Sequence, residues 1–172
     1  MKKTFLLLLL YSFCTVLSAK NFTTPDQNAS FDAPDNYSPL TQNEINLKFA
    51  RGTKPPQFAV GNERRTVSIA YGHNPMPTTE DNLDVSLQTL YQGIDKILNK
   101  PEWVEHSVLQ IGNRRWIYME FIVPAIDTNI HNIMLLTPYK GKTLMFNFNA
   151  TVEDFANDEA KLRQAIESIR LP

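Results

Sequence analysis

The feature that most constrains this chain is the alternation of apolar and polar residues between residues 105 and 149, broken by three short turns. The alternation predicts four strands, at residues 105–111, 115–123, 130–137 and 142–149. Gly112-Asn113 and Tyr139-Lys140-Gly141 are typical of tight hairpin turns. Strands joined by such turns form an antiparallel meander, whose apolar faces must be covered by other elements.

Two predicted helices can provide that cover. Residues 80–98 carry an apolar stripe at helical spacing, preceded by Thr78 and Asp81 in a capping pattern. Residues 152–170 carry a second stripe, and Thr151 with Asp154 forms its capping box. The first stripe consists of Leu83, Leu87, Leu90, Ile94 and Ile97, and the second of Phe155, Leu162, Ala165, Ile166 and Ile169.

The second meander strand is apolar on both faces, which predicts one long helix on each side of the sheet and a three-layer α+β sandwich. Trp116, Tyr118, Glu120 and Ile122 form one face, and Ile117, Met119, Phe121 and Val123 form the other. Glu120 is the exception, because an unpaired carboxylate under a helix is costly. A structural salt bridge is favoured over a catalytic role.

The chain before the first helix predicts shorter elements. Ile45, Leu47 and Phe49 alternate, which favours a short strand, although Thr41 and Glu44 could instead cap a helix. Residues 58–60 and 64–71 predict a hairpin around Gly61-Asn62.

The N-terminus is typical of a secretory signal peptide, residues 1–19. Lys2 and Lys3 precede an apolar run at residues 5–13, and cleavage is expected after Ala19. Cys14 raises the alternative of a lipoprotein, but the bulky Phe13 before it argues against lipidation. Cleavage after Ala19 would remove the only cysteine, as expected for a periplasmic or secreted protein without disulfides.

Residues 20–42 are polar and are interrupted by Pro25, Pro34 and Pro39, without a period of 2 or 3.6. This composition predicts a flexible linker. The predicted organisation is therefore a signal peptide at 1–19, a linker at 20–42 and one α+β domain at 43–172.

This order of elements resembles the PsbP-like fold family, which includes photosystem II PsbP and periplasmic DcrB-like proteins. The resemblance rests on Pro101-Glu102-Trp103, on the Gly112 hairpin with residues 116–121, on residues 141–148 and on residues 165–170. It implies an antiparallel sheet flanked by two long helices. It also implies an adaptor, assembly factor or chaperone-like binder without a catalytic site, and no site residue is transferred.

Several chemistries are not supported by any motif. His73, His106 and His131 lack metal-ligand spacing, and no G-x-S-x-G elbow or phosphate-binding loop is present. The formal net charge of -1 gives no basic surplus for nucleic acid. We therefore expect no cofactor, no metal and no enzymatic activity.

Arg64-Arg65 and Arg114-Arg115 each follow a Gly-Asn turn. If the two turns were neighbours, the arginines would form a paired basic rim able to hold a carboxylate or phosphate bidentately. The alternative is that they only keep the hairpin tips and sheet edges solvated.

The expected function is that of an exported, non-catalytic adaptor or chaperone-like protein that binds another envelope protein, without stable membrane insertion. The alternatives are a small-molecule or lipid carrier and a small hydrolase. A flat aromatic or arginine-rimmed patch would favour the adaptor. A deep apolar cavity would favour the carrier, and convergent polar groups with perturbed pKa values would favour the hydrolase.

Overall fold

The computed structural model describes residues 18–50, 54–98 and 100–172. Residues 1–17 of the predicted signal peptide, with Cys14, lie outside the described residues. The strands are β1 (Ala19–Thr23), β2 (Ser30–Pro34), β3 (Ser38–Pro39), β4 (Phe58–Gly61), β5 (Val67–Asn74), β6 (Glu102–Ile111), β7 (Arg114–Pro124), β8 (Asn129–Tyr139) and β9 (Lys142–Thr151). The helices are α1 (Gln42–Lys48), α2 (Leu83–Ile97) and α3 (Val152–Glu167).

Seven of these strands form one antiparallel sheet in the order β3-β4-β5-β9-β8-β7-β6. The predicted meander corresponds to β6 through β9, which lie side by side. The α+β class with an antiparallel sheet is therefore confirmed. The sheet order follows from a crossover after β5, which places β9 between β5 and β8.

One face of the sheet packs against α3. Trp116, Phe146 and Phe148 are fully buried here, against Phe155 and Leu162 of the helix. Helix α3 begins as the sequence predicts, because Thr151 Oγ1 accepts a hydrogen bond from the Asp154 amide at 3.2 Å.

The opposite face packs against α2 and α1. Leu83 and Leu87 of α2 are buried against Ile117 and Met119. Ile45 of α1 belongs to a separate small cluster over β4 and β5, with Leu40, Ala59 and Ala70. No helix in the described ranges combines the length and apolar character that crossing a membrane requires.

The prediction that residues 20–42 form a flexible linker is wrong. β1 and β2 form an antiparallel hairpin, separate from the main sheet, with Phe22 and Phe31 facing each other. Both rings join the core cluster under α3. Only β2 alternates, with Phe31 and Ala33 buried, whereas β1 buries Phe22 alone, so neither five-residue strand gives a clear pattern in this polar segment.

The short strand predicted over Ile45, Leu47 and Phe49 is also wrong, because this segment lies in and just after α1. The capping box of Thr41 and Glu44 stabilises a helix here: the Thr41 amide donates to Glu44 Oε2 at 2.7 Å, and Thr41 Oγ1 accepts from the Glu44 amide.

The capping residues before α2 also differ from the prediction. The Thr79 amide donates to Asn82 Oδ1 at 2.7 Å, one residue beyond the predicted pair of Thr78 and Asp81.

Candidate functional site

The two arginine pairs lie at opposite ends of the sheet, so the paired basic rim is not formed. Val67, two residues after Arg65, pairs with Ala150 of β9. Ala150 pairs with His131 of β8, which in turn pairs with Ile122 of β7. Arg114 lies at the other end of β7, where it pairs with Ile111. At about 3.3 Å per residue, the eight residues from Arg114 to Ile122 separate the two turns by roughly 25 Å along the strands.

Arg65 is a structural residue. Its Nε donates to Glu44 Oε1 at 2.8 Å and its Nη1 to Ser38 Oγ at 2.9 Å, with further bonds to the carbonyls of the Gly61-Asn62 turn. Its backbone is left-handed, with φ of 58°. Arg64 has 70% of its side chain exposed and contacts only Asp154 at the start of α3 among the ion pairs of the described residues.

Arg114 and Arg115 are held less tightly. The Arg114 guanidinium lies 4.9 Å from the centre of the Tyr139 ring, a cation–π contact. Arg115 donates to the Glu80 carbonyl at 3.2 Å and lies 3.5 Å from Asp84 Oδ2. These contacts connect the β6–β7 turn to the start of α2 and leave half of the Arg115 side chain exposed.

Glu120 is buried within a cluster of polar side chains between β7, β8 and α3. His131 Nε2 lies 2.6 Å from Glu120 Oε1, and Arg163 Nη2 lies 3.2 Å from the same oxygen. The Tyr118 hydroxyl donates to Glu120 Oε2 and accepts from Arg163 Nη1 at 2.9 Å. The structural salt bridge expected for Glu120 is therefore present, with Arg163 and His131 as partners.

The environment of Glu120 favours its charged form. Burial opposes ionisation, but the hydrogen bonds from His131 and Tyr118 and the Arg163 charge outweigh burial and lower the pKa of Glu120 to about 2. Burial and the bond to Glu120 raise the pKa of Tyr118. Phe155 covers the His131 ring, and both Glu120 oxygens accept hydrogen bonds from side chains of the cluster, so the cluster holds α3 to the sheet.

The histidines do not meet. His131 lies in the Glu120 cluster, His73 lies 3.3 Å from Asp26 at the tip of the β1–β2 hairpin, and His106 lies on the edge strand β6. Within the described ranges, no group of three or more His, Cys, Asp or Glu side chains is arranged to hold a metal ion.

A partly exposed aromatic surface lies where α2 meets β6, and sequence reasoning did not single it out. The Tyr91 ring stacks on His106 with 4.4 Å between ring centres. It also contacts Trp103, with 4.7 Å between ring centres and the ring planes tilted by 43°. Trp103 also contacts the buried Phe121, and its Nε1 donates to Asp95 Oδ1 at 3.1 Å. These contacts fix the orientation of the three rings.

Two exposed aliphatic side chains lie in the same stretch of chain as these rings, one between Tyr91 and Trp103 and one directly after Trp103. Ile97, near the end of α2, is 81% exposed, and Val104 is 53% exposed. Val104 lies at a bulge in β6, where the pairing with β7 skips from Trp103 to Glu105. We call Tyr91, Ile97, Trp103, Val104 and His106 the aromatic edge patch. In the sequence, Trp103 contributed only to the resemblance to the fold family, and Tyr91 lies between the core positions of α2. No pattern therefore marked either residue as part of a binding surface.

A cavity of about 530 Å³ lies between the β1–β2 hairpin and α3. Acidic and basic side chains of both elements line it, including Asp32, Asp35, Lys161 and Arg170. This lining differs from that of the deep apolar cavity that would favour a carrier.

The chain has the PsbP-like fold, which confirms the resemblance seen in the sequence. It is similar to the solution structure of cyanobacterial PsbP (CyanoP) from Synechocystis, with a TM-score of 0.61 and 13% identity, over 93% of this chain and 96% of that one. No family model and no curated protein matches the sequence.

Two further solved structures share the fold. The Ran-binding protein Mog1p of Saccharomyces cerevisiae has a TM-score of 0.55 and 9% identity, over 90% of this chain and 96% of that one. LpqN of Mycobacterium tuberculosis, described as involved in cell envelope biogenesis, has a TM-score of 0.53 and 10% identity, over 90% and 91%. Identities this low establish the fold alone.

Proposed function

We propose that this chain is an exported, non-catalytic adaptor or chaperone-like protein that binds another envelope protein through the aromatic edge patch. The observation that carries the proposal is the cluster of Tyr91, Trp103 and His106, in which the rings hold one another in place. His106 is exposed, and Tyr91 and Trp103 are half-buried, so each ring keeps part of its surface in solvent. Tyr and Trp are enriched among the residues that dominate binding energy at protein interfaces. Rings that are already ordered lose little entropy when a partner binds.

The chemistry of the patch suits an apolar protein surface. Ile97 and Val104 leave large aliphatic groups in water beside the rings, and a partner that covers them gains the hydrophobic free energy of their burial. Glu102 and Glu105 flank the bulge on β6 and are exposed, which gives the patch a polar rim.

Two observations support a binding rather than a catalytic role. The buried Glu120 cluster has its hydrogen-bonding groups engaged with one another, so the hydrolase alternative gains no support from it. Among the proteins with this fold, yeast Mog1p is described as a Ran-binding protein. The description of LpqN as involved in cell envelope biogenesis supports an envelope location.

The proposed cleavage after Ala19 is compatible with the fold. Cleavage there would remove one residue of β1 and leave Lys20 to Thr23 paired with β2. Ser18, Ala19 and Lys20 are exposed, and the first buried ring, Phe22, follows the cleavage site.

Site-specific photo-crosslinking tests this proposal in intact cells. A photoreactive residue at Ile97 should give a discrete crosslinked protein, and the same residue at Val85 should not. Val85 is the matched control, because it is 69% exposed on the same helix and lies about 18 Å from Ile97 at 1.5 Å per residue. The Ile97 crosslink should be lost in Trp103→Ala.

The proposal fails if positions 97 and 85 give the same products, or if the Ile97 crosslink survives Trp103→Ala in folded protein.

The double variant Arg114→Ala, Arg115→Ala tests the arginines as additional binding residues. It should fold normally and leave the crosslink yield at Ile97 unchanged, because Arg115 contacts Asp84 beside the control position Val85. A lower yield at Ile97 would extend the interface to the start of α2. A double variant of Arg64 and Arg65 is unsuitable, because Arg65 supports the fold.

A further inference from the structure

A groove of about 390 Å³ lies between α1 and the sheet, over β5 and β9. It lies on the same face of the sheet as α2, which packs on β7 and β8. Its floor is formed by Ala70 of β5 and Met145 of β9, and its walls include Leu47, Phe49 and Pro56. Leu47 is 80% exposed, so the outer wall of the groove is open to solvent. The volume lies within the range of small-molecule sites, roughly 300–1,000 Å³.

The charged residues of the groove are basic. Lys48 and Lys54 line it, and none of the lining residues that the structure describes is acidic. Lys48 Nζ donates to the Arg65 carbonyl at 2.8 Å, which uses one of its three hydrogens and leaves the others for a second acceptor. The groove therefore combines an apolar interior with a local positive charge.

Asn147 adds an uncommitted polar group at the floor. Its Oδ1 is buried, and no hydrogen-bond partner for this atom is found in residues 18–50, 54–98 and 100–172. Buried amide groups without partners are rare, since each one loses its hydrogen bonds to water. Rotation of the amide can present either a donor or an acceptor to a bound molecule.

We propose that this groove, the α1 groove, binds an amphiphilic anion, with an acyl or alkyl chain along Phe49, Ala70 and Met145. The anionic head, a carboxylate or a phosphate, lies between Lys48 and Lys54, and Asn147 hydrogen-bonds a polar atom of the ligand. This site is separate from the aromatic edge patch, because β8 and β7 lie between the floor strand β9 and the patch strand β6. Either proposal can therefore fail without the other.

Titration of the protein with dodecanoate, followed by NMR of ¹³C-labelled methionine methyl groups, tests the site. Met145 lies in the groove, and Met119 and Met134 pack under α2, so their methyl signals serve as internal controls. We expect a saturable shift of the Met145 signal and smaller shifts of the other two. Dodecyl phosphate distinguishes a phosphate head from a carboxylate head, and dodecyl maltoside is the uncharged control.

The double variant Lys48→Gln, Lys54→Gln should weaken dodecanoate binding about tenfold, because each ion pair near the surface contributes modestly. The same change should leave the weaker binding of dodecyl maltoside unaltered. Lys142→Gln, at an exposed lysine outside the groove, is the matched control and should change neither affinity. Thermal melting verifies that each variant is folded.

Three results would overturn the assignment. The first is no saturable Met145 shift with either anion, and the second is equal shifts of all three methionine signals, which indicates detergent-like binding. The third is a folded double lysine variant with wild-type affinity. Selective binding of an apolar peptide, without binding of the alkyl anions, would instead assign the groove to a protein ligand.

Discussion

The imidazole ring of His131 lies flat on the ring of Phe155, with 3.5 Å between ring centres and 7° between ring planes. This contact joins β8 to the first turn of α3. The edge of the same imidazole contacts Glu120, which Arg163 reaches from two turns farther along α3. The carboxylate is therefore enclosed by groups that favour its charge, and the helix is fixed to the sheet at two points.

Replacement of Glu120 should make stability less sensitive to acid. Since the pKa of Glu120 falls from an ordinary 4.5 to about 2 on folding, its contribution is complete above about pH 4.5 and declines as the pH falls towards 2. Glu120→Gln should cost roughly 3 kcal/mol at pH 7, because it leaves Arg163 and His131 without their carboxylate. Urea unfolding at pH 7, 4 and 3 measures this difference, which should shrink as the pH falls. A constant difference would show that the carboxylate charge is unimportant.

The β1–β2 hairpin should be required for full stability. Phe31 is 1% exposed and meets Phe146 edge-to-face, so Phe31→Ala should destabilise the protein by about 3–5 kcal/mol. Deletion of residues 20–34 should lower Tm by more than about 10 °C. Asn36→Ala, at an exposed position just beyond the hairpin, is the control. If the deletion variant has the same Tm as the full chain, the hairpin does not contribute to stability and the prediction is wrong.

Replacement by alanine should lower Tm far more at Arg65 than at the adjacent Arg64. Arg65→Ala removes bonds to Ser38, Glu44 and the Gly61-Asn62 turn, and should lower Tm by about 4 °C or more. Arg64→Ala removes one ion pair from a mostly exposed side chain, and should change Tm by less than about 2 °C. Differential scanning calorimetry of both variants measures the contrast, and equal effects would contradict the structural role of Arg65.

Two glycines should respond in opposite directions to alanine. Gly93 lies in α2, and a Cβ there meets no described atom within 4 Å, so Gly93→Ala should stabilise the protein by about 0.5–1 kcal/mol. A Cβ on Gly61 would lie 2.7 Å from the Val67 carbonyl oxygen and 3.2 Å from Leu40, so Gly61→Ala should destabilise by about 1–3 kcal/mol. Chemical denaturation decides both signs.

Local patterns predicted the parts of the fold that depend on near neighbours. The meander from β6 to β9 follows from alternation and tight turns, and the apolar stripe and the Thr151 N-cap of α3 lie where the sequence placed them. The reciprocal half of the predicted capping box is absent, because the Thr151 amide donates to the Thr66 carbonyl instead of the Asp154 side chain. The secondary structure of residues 43–49 was harder to predict, because Ile45, Leu47 and Phe49 fit a strand pattern although Leu47 is exposed. There a local cap, with the Glu44 side chain bonded to the Thr41 amide, outweighed the alternation.

What depends on distant contacts was not predictable from one sequence. The separation of Arg65 from Arg114 follows from the pairing of β5 with β9, which no local pattern specifies. The aromatic edge patch depends on His106 of β6 meeting Tyr91 of α2. The partners of Glu120 come from three elements, so the sequence indicated that a salt bridge was needed but not which residues would form it.

The pairing of the hairpin with the end of α3 also bears on the order of events in folding. Ser168 Oγ and the Asp32 amide bond across 136 residues of chain, and Ser30 pairs with Arg170 through both backbone groups. Contacts this distant in sequence form slowly, because a long loop must close first. In a chain made from its N-terminus, β1 and β2 are the first strands to be synthesised, but they can dock in their final place only after α3 has formed.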